Sequence, residues 1–116
     1  MTPQLVVLVV VAGAVGSVLR YLVGRSGAQA SWPWPVLLVN VIGSLVAGVA
    51  IHSDLSLIIV TGFAGGLTTF STLSVETVQL LMTQRWRTAV ASMAANLVVG
   101  ISAATAGWLL GLALFG

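Results

Sequence analysis

Residues Gly62 to Thr72 read GFAGGLTTFST, with three glycines, four Thr or Ser hydroxyls, and Thr68 beside Thr69. Gly and Thr are poor helix formers. Yet this stretch sits inside an apolar segment of 28 residues, Leu55 to Met82. As one straight helix that segment would run about 42 Å at ~1.5 Å per residue. It would overshoot a hydrocarbon core roughly 30 Å thick. A strongly tilted helix is one answer, and a helix broken near residues 63–72, at mid-membrane depth, is the other. A break opens backbone carbonyls, which lipid tolerates only where they are buried in protein or line a polar site. Broken spans use such carbonyls to bind cations and half-helix N-termini to attract anions. The plainer alternative is a kinked span packed by glycine.

The rest of the chain has the composition of a lipid-embedded protein. Of its 116 residues 59% are hydrophobic and 5% charged, with a mean hydropathy of +1.15. A soluble domain carries about a quarter of its residues as Asp, Glu, Lys and Arg. A disordered chain needs high charge and low hydrophobicity. The absence of cysteine excludes a disulfide scaffold and a Cys-ligated metal site. The basic balance rests on Arg20, Arg25, Arg85 and Arg87 against Asp54 and Glu76. These arginines stand at segment ends, without the clustered patch that nucleic-acid binding uses.

Apolar stretches predict four spans, at about 5–24, 33–51, 55–82 and 88–115. Short connections leave no room for a soluble domain, so 1–116 reads as a single four-span domain. MTPQ at Met1 to Gln4 lacks a positive n-region, so the first apolar run is expected to be a permanent span rather than a signal peptide. Arg25, Arg85 and Arg87 fall on the side of loops one and three, with Arg20 near it; the other side has His52 and Asp54. The positive-inside rule then puts loops one and three in the cytoplasm and both termini outside. Trp32, Trp34 and Trp86 map to the same interface, as an aromatic belt would.

Small and polar residues mark faces of the other spans. Gly13, Gly16, Ser17, Arg20 and Gly24 lie near one stripe of the first. Ser92, Asn96, Gly100 and Ala104 form a ladder at steps of four in the fourth. Helix packing alone accounts for such stripes. Asn40, in PVLLVNVIGS, is either an interhelical hydrogen bond or a polar lining group. Arg20 either snorkels to the interface or pairs with carbonyls or an anion. Glu76 can pair with an arginine or sit at a vestibule. Asn96 is a further anion-attracting or structural candidate. The single histidine, His52, has nothing to orient it in sequence, and no catalytic triad or two-carboxylate site can be built. The chain does not read as an enzyme.

Three stretches, in order and one per span, carry a resemblance: GAVGSVLRY at Gly13 to Tyr21, PVLLVNVIGS at Pro35 to Ser44, and GFAGGLTTFSTLSVE at Gly62 to Glu76. Together they resemble the Fluc (CrcB-type) fluoride channels over essentially the whole chain. The resemblance implies an all-α membrane protein whose third helix is broken near the membrane centre and which assembles as an antiparallel dual-topology dimer. It implies passive fluoride exit from the cytoplasm, across the plasma membrane of a prokaryotic cell, which lowers fluoride toxicity. It implies a structural Na⁺ at the dimer centre, held by backbone carbonyls that match Gly65 and Thr68. It places Asn40, Phe70, Ser71, Thr72 and Ser74 on the fluoride path, and it matches Arg20 to the arginine at the end of the family's first span.

Fluoride is small and strongly hydrated, so its path must replace water with donors. The Asn40 amide and the hydroxyls of Ser71, Thr72 and Ser74 can do so, and the positive edge of the Phe70 ring can face an anion. The family's second pore phenylalanine is Leu73 here, and Gly100 stands where a serine or another small residue is expected. Three arginines on one side also suit a fixed topology, so a homodimer and a heterodimer with a related chain of opposite topology both stay open. Two other classes stay in view. A small multidrug-resistance-type proton-coupled antiporter has four short spans, but it needs an acid, usually in its first span, and this first span has none. A non-transporting membrane accessory subunit would not require the break, Asn40 and Phe70 together.

Overall fold

The computed structural model describes residues 2–27 and 30–116. Among these, all regular structure is helical. Helix α1 is Pro3–Ser26 and α2 is Trp34–Ala50. Helix α3 consists of a π-helical stretch, Leu57–Ala64, closed by one α-helical turn, Gly65–Leu67. Helix α4 is Phe70–Met82 and α5 is Trp86–Phe115. The stretches Pro3–Ser26, Leu57–Met82 and Trp86–Phe115 are each long and apolar enough to cross a membrane; α2 is apolar with 17 residues. A helix of that length lies at the short end of what spans a bilayer. The chain is a multi-pass membrane protein.

The ends of these helices follow from local chemistry. Thr2 caps α1 by accepting the Leu5 N–H, and Pro3 occupies the first turn, where its missing N–H costs nothing. Proline again sits in the first turn of α2, at Pro35. The turn after α4 closes with Gln84 at φ 62°, and the Arg85 N–H then reaches the Leu80 carbonyl at 2.8 Å. The Arg85 guanidinium donates to the Ser31 carbonyl, which ties the α4–α5 turn to the α1–α2 connection. At the opposite end, His52 lies tilted against Trp108, with ring centroids 5.3 Å apart.

Two helix pairs form the body of the molecule, α1 with α3 and α2 with α5. Lipid tails are as apolar as Leu, so helices in a bilayer associate through close fit rather than hydrophobic exclusion. Glycine permits that fit here. A Cβ on Gly16 would strike the Phe63 carbonyl and come within 2.8 Å of the Leu67 nitrogen; one on Gly66 would strike the Gly13 carbonyl. The α2–α5 pair uses the same device at Gly48, Gly107 and Gly111. Ala89 and Ser92 are the most deeply buried side chains of α5, each 1% exposed.

Candidate functional site: a polar joint between α3 and α4

Between α3 and α4 the backbone leaves the helical region for two residues. Thr68 has φ −79°, ψ 156° and Thr69 has φ −150°, ψ 123°. The Thr68 N–H still closes the last turn of α3 on the Ala64 carbonyl at 2.9 Å. In a continuing helix the next N–H, that of Thr69, would serve the Gly65 carbonyl. Instead it donates to Asn40 Oδ1 at 2.8 Å. The Asn40 Nδ2 donates back to the Thr69 carbonyl at 3.2 Å. One side-chain amide from α2 therefore pairs with both backbone groups of an extended residue, as a neighbouring strand would. Asn40 also donates to Asn96 Oδ1 at 2.9 Å, and Asn96 Nδ2 donates to the Ser92 carbonyl at 2.8 Å.

Helix α4 starts with a side-chain cap. Thr69 Oγ1 accepts the Thr72 N–H at 3.1 Å. It also donates to Thr72 Oγ1 at 3.1 Å, and it lies 3.3 Å from Ser71 Oγ. With the Thr69 proton spent on Thr72, Ser71 is the donor of that last pair, and the Thr72 hydroxyl keeps its own proton free. Ser74 instead donates to the Phe70 carbonyl at 2.9 Å, one turn back in its own helix.

This joint leaves carbonyls free. Thr69 N–H goes to Asn40, so the Gly65 carbonyl loses its helical donor. Thr72 N–H goes to Thr69 Oγ1, so the Thr68 carbonyl loses its own. Neither carbonyl accepts another hydrogen bond among the described residues. The Gly66 carbonyl, between them, accepts from Ser17 Oγ at 3.4 Å. Neutral carbonyl oxygens suit a hard cation. No cluster of three or more His, Asp or Glu side chains able to hold a metal exists among the described residues.

Two cavities flank the joint, and Thr69 lines both. The first, about 820 Å³, reaches from Thr69, Thr72 and Ser17 to Arg20, Arg25 and Arg85. Three arginines face one carboxylate, Glu76, in its lining, so the field there attracts anions. Glu76 Oε2 is buried without a hydrogen-bond partner. The second cavity, about 640 Å³, is a groove between α2, α4 and α5, lined by Asn40, Asn96, Thr68, Phe70 and Leu73 among others. The Phe70 ring is 78% exposed, whereas Leu73 is 8% exposed. The ring therefore stands out from this single chain, while the leucine three residues on packs inward.

The joint thus gathers Asn40, Thr68, Thr69, Ser71, Thr72 and Asn96 by direct bonds, with Gly65 and Phe70 adjoining. Arg20 and Glu76 line the arginine-rich cavity. Sequence reasoning gave Thr69 no specific role, although a threonine just before a helix is a standard cap signal. Ser17 was legible only as a small residue on a stripe. Arg85 as a tether to Ser31 had no sequence signal.

The family described as "CrcB-like protein, Camphor Resistance (CrcB)" matches residues 7–108. The chain belongs to this family. It is 41% identical to a Rhodococcus jostii protein named fluoride-specific ion channel FluC 2, over 89% of this chain and 95% of that one. It is 38% identical to the fluoride-specific ion channel FluC of Agrobacterium fabrum, over 95% and 98% of the two chains. A FluC protein of Gloeobacter violaceus is 41% identical over 89% and 92%. The CrcB family is one of ion channels rather than enzymes.

Proposed function

We propose that this CrcB chain is a fluoride-selective channel that lets fluoride leave the cytoplasm passively across the plasma membrane and so lowers its toxicity. The observation that carries the reading is the polar joint at Thr68 and Thr69, with a cavity on each side of it and the arginines at the mouth of one. The joint lies near the membrane centre in this reading, between four spans, with the end of α1 that bears Arg25 and the loop that bears Arg85 at the cytoplasmic face. Arg20, Arg25 and Arg85 concentrate anions. The path then follows the hydroxyls of Ser71, Thr72 and Ser74, the edge of Phe70, Leu73, and the amides of Asn40 and Asn96. Contacts of this kind are individually weak, which conduction requires.

Two chains pack antiparallel, so that the joint of one meets the joint of the other. The Gly65 and Thr68 carbonyls of both then hold a structural Na⁺. The freed carbonyls support this donor set, and the cation supplies fixed positive charge beside the anion path. The exposed Phe70 ring becomes part of a pore wall once the second chain covers the groove. A second copy or a related chain of opposite topology would serve; the one-sided arginines favour the latter.

Efflux from liposomes containing the purified chain, read with a fluoride electrode after a potassium ionophore is added, tests the function. Rapid fluoride release with chloride retained is expected. Retention of both ions, with the chain alone and with a co-expressed related chain, would contradict it.

A further inference from the structure

We propose that Arg85 is a positioning residue whose bond to the Ser31 carbonyl straps together the two lips of the arginine-rich cavity, and so sets how strongly that cavity gathers fluoride when fluoride is scarce. The inference rests on the channel reading and gives a second role to a side chain that the reading counts only as a charge. One lip is the α1–α2 connection, which contributes Ala30, Ser31, Trp32 and Pro33 to the lining; the other is the turn after α4, which contributes Thr83 and Arg85. The connection is not helical, and its described backbone bonds, Ala30 to Gly27 and Trp34 to Trp32, are local turns. Among the described residues, the one hydrogen bond between the two lips is that from Arg85 to Ser31.

The turn fixes the root of this side chain before it crosses the cavity. Gln84 is the one residue other than glycine with a positive φ among the described residues, at 62°. Its left-handed conformation folds the chain back, so that the Gln84 N–H donates to the Leu81 carbonyl at 3.1 Å and the Arg85 N–H to the Leu80 carbonyl at 2.8 Å. The Thr83 hydroxyl lies 3.0 Å from the Gln79 carbonyl, a further hold on the end of α4. The acceptor at the far lip also matters. A carboxylate there would cancel the arginine's charge, whereas the neutral Ser31 carbonyl accepts one N–H and leaves the cation intact. A guanidinium has five N–H donors in a fixed fork, so four remain for water or an anion. Arg85 therefore closes the mouth and stays positive. A cleft lined by one sign of charge focuses the field only while its low-dielectric walls stay close, so the width of the mouth governs the capture of anions.

Efflux measured over a range of fluoride concentrations tests this, with thermal unfolding in detergent as the control for folding. Gln84→Val keeps all four arginines but disfavours the left-handed turn, because a β-branched residue resists positive φ. The fluoride concentration for half-maximal efflux should rise roughly twofold to tenfold, one arginine's share of the focusing in such a cleft, with the maximal rate kept. Gln84→Gly, which holds positive φ freely, should match the wild type. In a second arm, Ser31→Cys with Arg85→Cys places the only two cysteines of the chain on the two lips. Bridging them with a short bifunctional thiol reagent should bring the half-maximal concentration back toward the wild-type value, and cleaving the bridge should undo this. A wild-type fluoride dependence from folded Gln84→Val protein, or no recovery in protein shown to be bridged, would overturn the strap and leave the channel reading standing. A wild-type chain silent to fluoride, alone and with a related chain, would overturn both.

Discussion

The helix pairs and the joint solve the same problem by opposite means. Where α1 meets α3, glycine brings backbone against backbone, and among the described residues Ser17 to Gly66 is the one side-chain hydrogen bond between them. At Thr69 no backbone group among the described residues pairs with the extended residue, and Asn40 reaches in with a side chain that imitates one. In lipid an unpaired backbone group costs several kcal/mol. Close fit therefore holds what stays helical, and a polar side chain holds what does not. The first device confers rigidity alone. The second leaves neighbouring carbonyls and hydroxyls available for ions.

Substitutions can break each device separately. Gly66→Val should have the largest effect, because the new side chain meets the Gly13 backbone rather than a movable side chain. We expect aggregated protein on size-exclusion chromatography; monodisperse protein would show that this close approach is dispensable. Asn40→Leu should come next. It strips the Thr69 N–H and carbonyl of their side-chain partner in an apolar setting, where an unmet polar group costs roughly 1–3 kcal/mol by mutational measure. A lower unfolding temperature and loss of fluoride efflux are expected together, with Asn40→Asp, which keeps the acceptor for Thr69, less unstable than Asn40→Leu.

Leu73→Phe should cost about 1–3 kcal/mol by overpacking, since Leu73 is buried in the single chain. An unchanged or raised unfolding temperature would mean that the ring turns outward beside Phe70. Thr69→Ala should have the smallest effect, about 1 kcal/mol for a lost helix cap. Thr69→Ser should restore it, because the serine hydroxyl can still accept the Thr72 N–H.

The lipid-embedded helical character was legible in the sequence because nearly uncharged apolar runs of about 20 residues match the thickness of a bilayer and suit little else. The family was legible because GAVGSVLRY, PVLLVNVIGS and GFAGGLTTFSTLSVE are specific in combination. The stretch Gly62 to Thr72 stood out for its poor helix formers, and the two extended residues lie inside it. Other features carried no such signal. The π-helical turn at Leu57–Ala64 falls on LIIVTGFA, a run rich in β-branched residues that gives no hint of an i→i+5 pattern. Asn40 was visible as a polar residue in a span, but its partners lie 29 and 56 positions away. No periodicity within one helix can encode a contact at that range.

Whether the polar joint belongs to a path for fluoride is tested most directly by a reversal potential. The current is recorded across a planar bilayer holding the purified chain, with fluoride unequal on the two sides and chloride equal. A fluoride path through the joint predicts a current that reverses at the Nernst potential of fluoride. A current that reverses near zero, or one that follows chloride when its gradient is imposed instead, would contradict it.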